Sequence, residues 1–139
     1  MSYRARDFMS QSFVTFHPDM DVLEVVRKLT DYNISGGPVV DSQGNLVGVI
    51  SEIDCLRAAV QASYHESWGG TVREVMREAT RTVDVDDSIM HVAKLFADQE
   101  YSYYRGFPVM KNNRVVGRIR LRDVLRAFDV MSQEAGGGN

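Results

Sequence analysis

Two short stretches of this chain combine residue types and a spacing that could bind an anion. Ser51 is followed three residues later by Asp54, and Arg120 is followed at the same spacing by Asp123. Each stretch is typical of an apolar strand that turns at once into a helix. The first turn of a helix offers unpaired backbone N–H groups and a positive dipole end, which suit a phosphate. The Ser51 hydroxyl can add a hydrogen bond there, and the Arg120 guanidinium can bind phosphate oxygens directly.

Helix capping is the competing explanation for this spacing. In a capping box the hydroxyl and the carboxylate each accept a hydrogen bond from the other residue's backbone N–H, which stabilises a helix by about 1 kcal/mol. Ser51 and Asp54 fit that arrangement without any ligand. Arg120 has no hydroxyl, yet Asp123 is present, so we expect that capping alone does not explain both aspartates. The two roles stay open for Ser51 and Asp54.

The residue types that carry catalysis or hold metals are scarce. Cys55 is the single cysteine, and the three histidines are scattered along the chain at His17, His65 and His91. This distribution matches no zinc-ligand spacing, and Cys55 has no recognisable base partner that would make it a nucleophile. A glycine-rich loop that would cradle phosphates is also missing. We therefore expect no enzyme, no metal site and no required cofactor.

Composition indicates an ordinary cytoplasmic protein. The chain is 44% hydrophobic and 25% charged, which is typical of a soluble globular protein. It contains no apolar run that approaches 18 residues, and its first residues lack the apolar core of a signal peptide. A single cysteine excludes an intramolecular disulfide and suits a reducing compartment.

The charge is unevenly distributed. The formal net charge of −3 argues against a nucleic-acid binder or a membrane-surface protein overall. The stretch 101–126 is nevertheless basic. It allows three interpretations: a solvated charged face, an electropositive cleft that attracts polyphosphate, or a nucleic-acid patch. Its basic residues are Arg105, Lys111, Arg114, Arg118, Arg120, Arg122 and Arg126.

The two corners belong to an internal repeat. Residues 46–54 recur as 115–123, with the glycine, the isoleucine and the aspartate in the same places. Other identical pairs precede them in the same order, which predicts two copies of one structural unit. These pairs are Arg6 and Arg73, Met9 and Met76, Thr15 and Thr82, Asp19 and Asp86, Val25 and Val92, Asp31 and Asp98, Gly36 and Gly106, and Pro38 and Pro108.

Apolar periodicity and turn residues predict the elements of each copy. The first copy is expected to contain a short helix at 4–9, a strand at 13–16, a helix capped by Asp21, strands at 38–41 and 46–50, and a helix at 52–62. Gly48 within the second of these strands suggests that another segment approaches its backbone closely. The last helix is expected to point its apolar stripe inward, that is Ile53, Leu56 and Val60.

The second copy repeats this plan. The predicted fold class is therefore α+β, with two pseudo-symmetric β-α-β-β-α repeats that pack through their small sheets. Neither small sheet is expected to bury both of its faces alone. The predicted boundaries are 5–62 for the first repeat, 63–70 for a linker, 71–131 for the second repeat and 132–139 for a disordered tail.

The ordered set of motifs resembles the tandem CBS domain pair, often called a Bateman module. The resemblance rests on residues 37–41 followed by 46–54, and on 107–110 followed by 115–123, and it covers about residues 5–130. It implies regulatory binding of adenosyl ligands, namely AMP, ADP, ATP or S-adenosylmethionine, in clefts between the repeats. It also implies the pairing of modules into flat homodimers.

The resemblance assigns roles to residues in each repeat. The aspartate of the corner would accept hydrogen bonds from the ribose hydroxyls, as an acceptor-only carboxylate can. Adenine would lie between the chain before the first long helix and the segment ahead of the Pro-Val strand, where glycine lets a planar ring approach the backbone. Arg120 departs from the family's usual serine or threonine. The nucleotide-binding residues are then Thr15, Phe16, His17, Gly36, Gly37, Pro38, Ser51 and Asp54 in the first repeat, and Thr82, Val83, Gly106, Phe107, Pro108, Arg120 and Asp123 in the second.

The leading hypothesis is a sensor module that binds adenine nucleotides, performs no chemistry, and acts through a target protein or through its oligomeric state. One alternative is a protein-interaction scaffold whose clefts are vestigial. The other is a nucleic-acid-binding module that uses the arginine-rich second repeat.

Overall fold

A computed structural model of the protein describes residues 2–63, 70–79, 81–98 and 106–136. Most of the predicted linker, residues 64–69, therefore lies outside the described residues. The chain combines helices with two small sheets, as expected for the α+β class. The helices are α1 (Ala5–Phe8), α2 (Val22–Tyr32), α3 (Glu52–Ser63), α4 (Val72–Val75), α5 (Ile89–Ala97) and α6 (Leu121–Gly136), and the strands are β1 (Gly36–Val40), β2 (Leu46–Ser51), β3 (Val83–Asp84), β4 (Gly106–Lys111) and β5 (Arg114–Arg120).

The strands form two small sheets. Strands β1 and β2 pair antiparallel, and the other sheet has the order β3-β4-β5, with β3 parallel to β4 and β4 antiparallel to β5. A full strand at 13–16 does not form. Phe16 makes only an isolated parallel bridge to Val39, at the position that β3 occupies beside β4 in the other sheet.

The chain divides into two compact units that do not coincide with the sequence repeats. The central unit comprises Val14–Thr80, and the terminal unit comprises Met1–Phe13 together with Arg81–Asn139. Each unit thus includes the opening helix of the other repeat. In the terminal unit the Ala5 N–H donates to Asp87 O at 2.8 Å, and Ala5 is completely buried. In the central unit Val72 of α4 is also completely buried.

Each unit has its own apolar core, and at one pair of equivalent positions the two cores place a phenylalanine ring on opposite sides. In the central unit the ring is that of Phe16, which lies against Gly37. In the terminal unit the equivalent positions are Val83 and Phe107, so the ring comes from the β4 side. Phe107 packs against Phe96 with ring centroids 4.6 Å apart. The phenylalanine and the smaller residue thus exchange positions between the two units.

The prediction that a segment approaches Gly48 is confirmed. A Cβ atom at Gly48 would lie 2.8 Å from both Arg77 O and Met76 Sδ. The Val49 N–H donates to Arg77 O at 2.8 Å, and the Arg77 N–H donates back to Val49 O at 2.9 Å. Gly117 plays the same part in the terminal unit, where a Cβ atom would lie 2.7 Å from Met9 Sδ and 2.9 Å from Ser10 O.

The predicted inward face of α3 is wrong. Ile53, Leu56 and Val60 are 41%, 57% and 50% exposed, whereas Asp54 and Cys55 are buried. The reason lies at the start of the helix, where Asp54 turns its carboxylate back toward the buried end of β2. This contact fixes the rotation of the helix, so the aspartate side faces inward and the apolar stripe faces outward.

The predicted disorder from residue 132 is wrong for residues 132–136, which continue α6 to Gly136. The Tyr3 hydroxyl donates to Glu134 Oε1, and Val130 and Met131 pack against the terminal core. These contacts hold the additional turn. Within the described part of the chain, α6 and the other helices are too short or too polar to cross a membrane.

We predict that Gly48→Ala and Gly117→Ala destabilise the fold. The added methyl group would overlap backbone oxygen and methionine sulfur, and overpacking of this kind costs about 1–3 kcal/mol. Gly136 is the matched control, because a Cβ there would meet nothing within 4 Å. Urea denaturation of the three variants measures the free energy of unfolding. A Gly48→Ala protein as stable as Gly136→Ala would contradict the close approach.

Candidate functional site

All residues predicted for the two sites lie among the described residues, and each predicted set lies within a single unit. The central unit holds the set that contains Ser51 and Asp54, and the terminal unit holds the set that contains Arg120 and Asp123. In both units the corner between the last strand and the following helix brings a carboxylate into the interior.

The capping box predicted at Ser51 and Asp54 is confirmed. The Ser51 N–H donates to Asp54 Oδ2 at 2.9 Å, and Ser51 Oγ accepts from the Asp54 N–H at 3.3 Å. The Ser51 hydroxyl also donates to Oδ2 at 2.8 Å. Asp54 is only 5% exposed, so these donors offset the cost of burying its charge.

Arg77 is an additional partner of Asp54 that sequence reasoning missed. Its Nε lies 3.0 Å from Oδ1 and 3.2 Å from Oδ2 of the carboxylate. The residue follows α4, 23 positions away from the aspartate. The repeat offers no signal for this contact, because Arg77 corresponds to Ser10 in the other copy.

Asp123 is held differently in the terminal unit. Its Oδ2 accepts from the Arg120 N–H at 2.7 Å, and Arg126 Nη1 lies 3.4 Å from Oδ1. Arg120 Nε is farther away, at 3.7 Å from Oδ2. This geometry corrects the expectation that capping cannot explain both aspartates. Asp123 bonds the backbone N–H of residue 120, and that half of a capping box needs no hydroxyl.

Among the residues that the structure describes, three arginines lie around the Asp123 carboxylate of the terminal corner. A Cβ atom at Gly106 would lie 2.9 Å from Arg118 Nε and 3.2 Å from Arg120 Cγ. Burial, and secondarily the charge of Arg120, lowers the pKa of Arg118, while Asp123 acts in the opposite direction. With Arg126 also on Asp123, the described side chains of this corner carry more positive than negative charge. The arrangement is suited to an anion such as phosphate.

The aromatic residues predicted beside adenine are core residues. Phe16 and Phe107 are each 1% exposed, and Val83 is also buried, so their side chains offer no open face for stacking. Gly36 and Gly37 are explained by the protein's own packing. A Cβ atom would lie 2.6 Å from Ile50 O at Gly36 and 2.9 Å from Val14 O at Gly37.

The remaining predicted residues flank these core positions. Thr15 and His17 are partly exposed, Thr82 is exposed, and both Pro38 and Pro108 are buried. The His17 Nδ1 accepts a hydrogen bond from the Asp19 N–H at 3.2 Å. A base could therefore be recognised here through backbone edges and through Thr15, His17 or Thr82, but not through the buried rings.

The chain belongs to the CBS domain family, whose sequence model matches residues 5–61 and 72–130. This confirms the predicted tandem CBS pair. The chain is 31% identical over 124 residues to the L-aspartate semialdehyde sulfurtransferase of Methanocaldococcus jannaschii, a match that covers 88% of this chain and 23% of that protein. It is 28% identical to the uncharacterized protein MJ1404 of the same organism, of which it spans 30%. The chain thus spans less than a third of the length of these relatives.

Solved structures confirm the α+β CBS fold. The CBS domain pair of protein MJ0100, in complex with 5′-methylthioadenosine and S-adenosyl-L-methionine, matches with a TM-score of 0.78 at 29% identity, covering 94% of this chain and 99% of that one. CBSX2, a CBS-pair protein from Arabidopsis thaliana, matches with a TM-score of 0.81 at 22% identity, covering 96% of this chain and 99% of that one.

We predict that Cys55 is chemically inert in the folded protein. Burial raises the pKa of its thiol to about 11, with a smaller contribution from Asp54. Because the thiolate is the reactive form, only about a thousandth of the thiol is ionised at pH 8. Iodoacetamide should label Cys55 slowly in the native protein and rapidly in urea. Equal labelling rates in the two states would contradict this environment.

Proposed function

We propose that the protein is a regulatory module that binds an adenosyl ligand, AMP, ADP, ATP or S-adenosylmethionine, through Asp54 and Asp123. The observation that carries the proposal is that both corners bury an aspartate beside the N-terminus of a helix. An ionised carboxylate accepts hydrogen bonds from both hydroxyls of a ribose. The backbone N–H groups of the adjacent first helical turn suit a phosphate or a carboxylate of the ligand.

The solved pair of MJ0100 supports an adenosyl ligand. That protein was crystallised with 5′-methylthioadenosine and S-adenosyl-L-methionine. Both compounds carry a ribose and an adenine, and neither carries a phosphate. The common feature is the adenosyl group, so we assign the two aspartates to the ribose.

The arginines of the terminal corner favour a ligand with phosphate at that corner. Arg118, Arg120 and Arg126 lie around Asp123, and the Arg120 side chain is 51% exposed. An exposed guanidinium beside a helix N-terminus can bind phosphate oxygens through two hydrogen bonds. We therefore expect Arg120 to contribute to the binding of ATP and ADP and to contribute little to the binding of adenosine.

The proposed role includes no catalysis. The sulfurtransferase activity in the name of one relative belongs to a protein of which this chain covers 23%. Cys55, the single thiol of the chain, is buried and protonated at neutral pH. We place the protein in the cytoplasm, since a single thiol suits a reducing compartment.

We further propose that the module acts as a homodimer, through which ligand binding is passed to a target protein. The support is an apolar stripe on α6 that the terminal unit leaves uncovered. Leu121, Leu125 and Phe128 are 49%, 60% and 36% exposed. Ile53, Leu56 and Val60 leave a similar stripe on α3. Sedimentation equilibrium should give twice the mass of the chain, and a monomer at high micromolar concentration would contradict the proposal.

Isothermal titration with adenosine, AMP, ATP and S-adenosylmethionine tests the ligand. Each of the variants Asp54→Asn and Asp123→Asn should abolish or weaken binding at its own site by about tenfold or more, the value of a hydrogen bond to a charged group. Asp86→Asn is the matched control, because Asp86 is an exposed carboxylate that pairs with Arg6 outside both corners.

The phosphate assignment has its own variant. Arg120→Gln should weaken ATP more than adenosine, whereas an equal loss for both would contradict a role at the phosphate. A wild-type protein that melts cooperatively and binds none of the four compounds would overturn the proposed function. The scaffold alternative would then stand, and a binding assay with RNA and DNA over a range of salt concentrations would test the nucleic-acid alternative.

A further inference from the structure

Arg77 occupies the carboxylate that the proposed ligand needs. The Asp54 Oδ2 atom already accepts from the Ser51 N–H and from the Ser51 hydroxyl, at 2.9 and 2.8 Å. Arg77 Nε adds contacts to both oxygens, and its 3.0 Å distance to Oδ1 takes up the oxygen that the serine leaves open. A carboxylate offers about four lone-pair positions. Two ribose hydroxyls therefore cannot bind this carboxylate while Arg77 stays in place.

Each unit contains one backbone bridge between its last strand and the segment that follows its short opening helix. In the central unit the arginine of this bridge lies on that segment, and in the terminal unit it lies on the strand. In the central unit the bridge joins Val49 to Arg77, and in the terminal unit it joins Arg118 to Ser10. Ser10 makes no counterpart of the Arg77 contact, because its hydroxyl donates to Ser12 O at 2.9 Å. The two corners thus share one backbone design but differ in what reaches the carboxylate.

The contacts at Asp123 are also longer than those at Asp54. Apart from the Arg120 N–H at 2.7 Å, its nearest donors among the described residues are guanidinium nitrogens at 3.4 and 3.7 Å. The side chains of Arg120 and Arg126 are 51% and 55% exposed, whereas that of Arg77 is 36% exposed. A ligand hydroxyl therefore displaces weaker and better solvated partners at Asp123 than at Asp54.

We propose that Arg77 is an internal competitor that weakens ribose binding at Asp54 and makes the two sites of the module unequal. The inference rests on the proposed function, since it concerns the same carboxylates. A neutral hydroxyl must replace a charge-assisted contact to a buried carboxylate before ribose can bind at Asp54. The apparent affinity of that site is therefore the intrinsic affinity multiplied by the fraction of molecules in which Arg77 has moved away.

The side chain of Arg77 can be changed without removing its backbone contacts. The segment is held by the two backbone hydrogen bonds between Val49 and Arg77, and by the close contact of Met76 with Gly48. Asp54 would keep both of its hydrogen bonds from Ser51. Arg77→Gln should therefore leave the fold intact while it opens the carboxylate.

Titration of the whole 139-residue chain with adenosine and with S-adenosylmethionine tests the competition. Arg77→Gln should raise the affinity of Asp54-dependent binding by about tenfold, which corresponds to one charge-assisted hydrogen bond. Arg77→Lys keeps the charge but loses the planar fork, so it should give a smaller gain. Arg6→Gln, which breaks an arginine–aspartate pair outside both corners, should leave both affinities unchanged.

The outcomes separate this inference from the proposed function. The gain must disappear in the double variant Arg77→Gln with Asp54→Asn. Wild-type binding that depends on Asp54 but does not increase in Arg77→Gln or in Arg77→Lys would overturn the competition and leave the proposed function standing. Absence of binding in the wild type and in all variants would overturn both. A melting temperature recorded for each variant shows whether it is folded. If Arg77→Gln is unfolded, the affinity of Arg77→Lys tests the competition instead.

Discussion

The buried carboxylate at each strand-to-helix corner is the interaction on which the rest of each unit depends. Asp54 and Asp123 accept the backbone N–H of the last residue of the preceding strand. This bond fixes where the helix begins and how it is rotated about its axis. The same rotation leaves the leucines of α3 and α6 exposed, so the corner shapes both the candidate ligand site and the candidate dimer surface.

The two units preserve the backbone of this corner more closely than they preserve its side chains. Gly48 and Gly117 each admit a methionine-containing segment, Met76 with Arg77 in one unit and Met9 with Ser10 in the other. The backbone arrangement is the same in both units, but the core phenylalanine (Phe16 or Phe107) and the arginine of the bridge (Arg77 or Arg118) lie on opposite segments. A segment that packs directly on a strand backbone requires glycine at one fixed position of that strand. An aromatic core ring or an arginine, in contrast, can come from either of two residues that face each other.

This difference explains what the sequence could and could not predict. The strand-to-helix corners, the capping box and the role of Gly48 follow from local spacing, and the repeat follows from identical residues in the same order in both copies, so all of them could be predicted. The orientation of α3 could not, because an apolar stripe does not tell whether it covers its own core or a partner. Arg77 was missed for a related reason, since its contact with Asp54 depends on how distant segments pack. The predicted adenine residues Phe16 and Phe107 turned out to be core side chains, which motif position alone does not reveal.

The role of the two aspartates is best tested by a crystal structure of the protein grown with saturating S-adenosylmethionine or AMP, because it measures the distance from the ribose hydroxyls to the corner carboxylates. We expect ribose oxygens within hydrogen-bonding distance of Asp123 Oδ1 or Oδ2, and at Asp54 only in molecules whose Arg77 side chain has moved away. A ligand bound with its ribose remote from both aspartates would contradict this role.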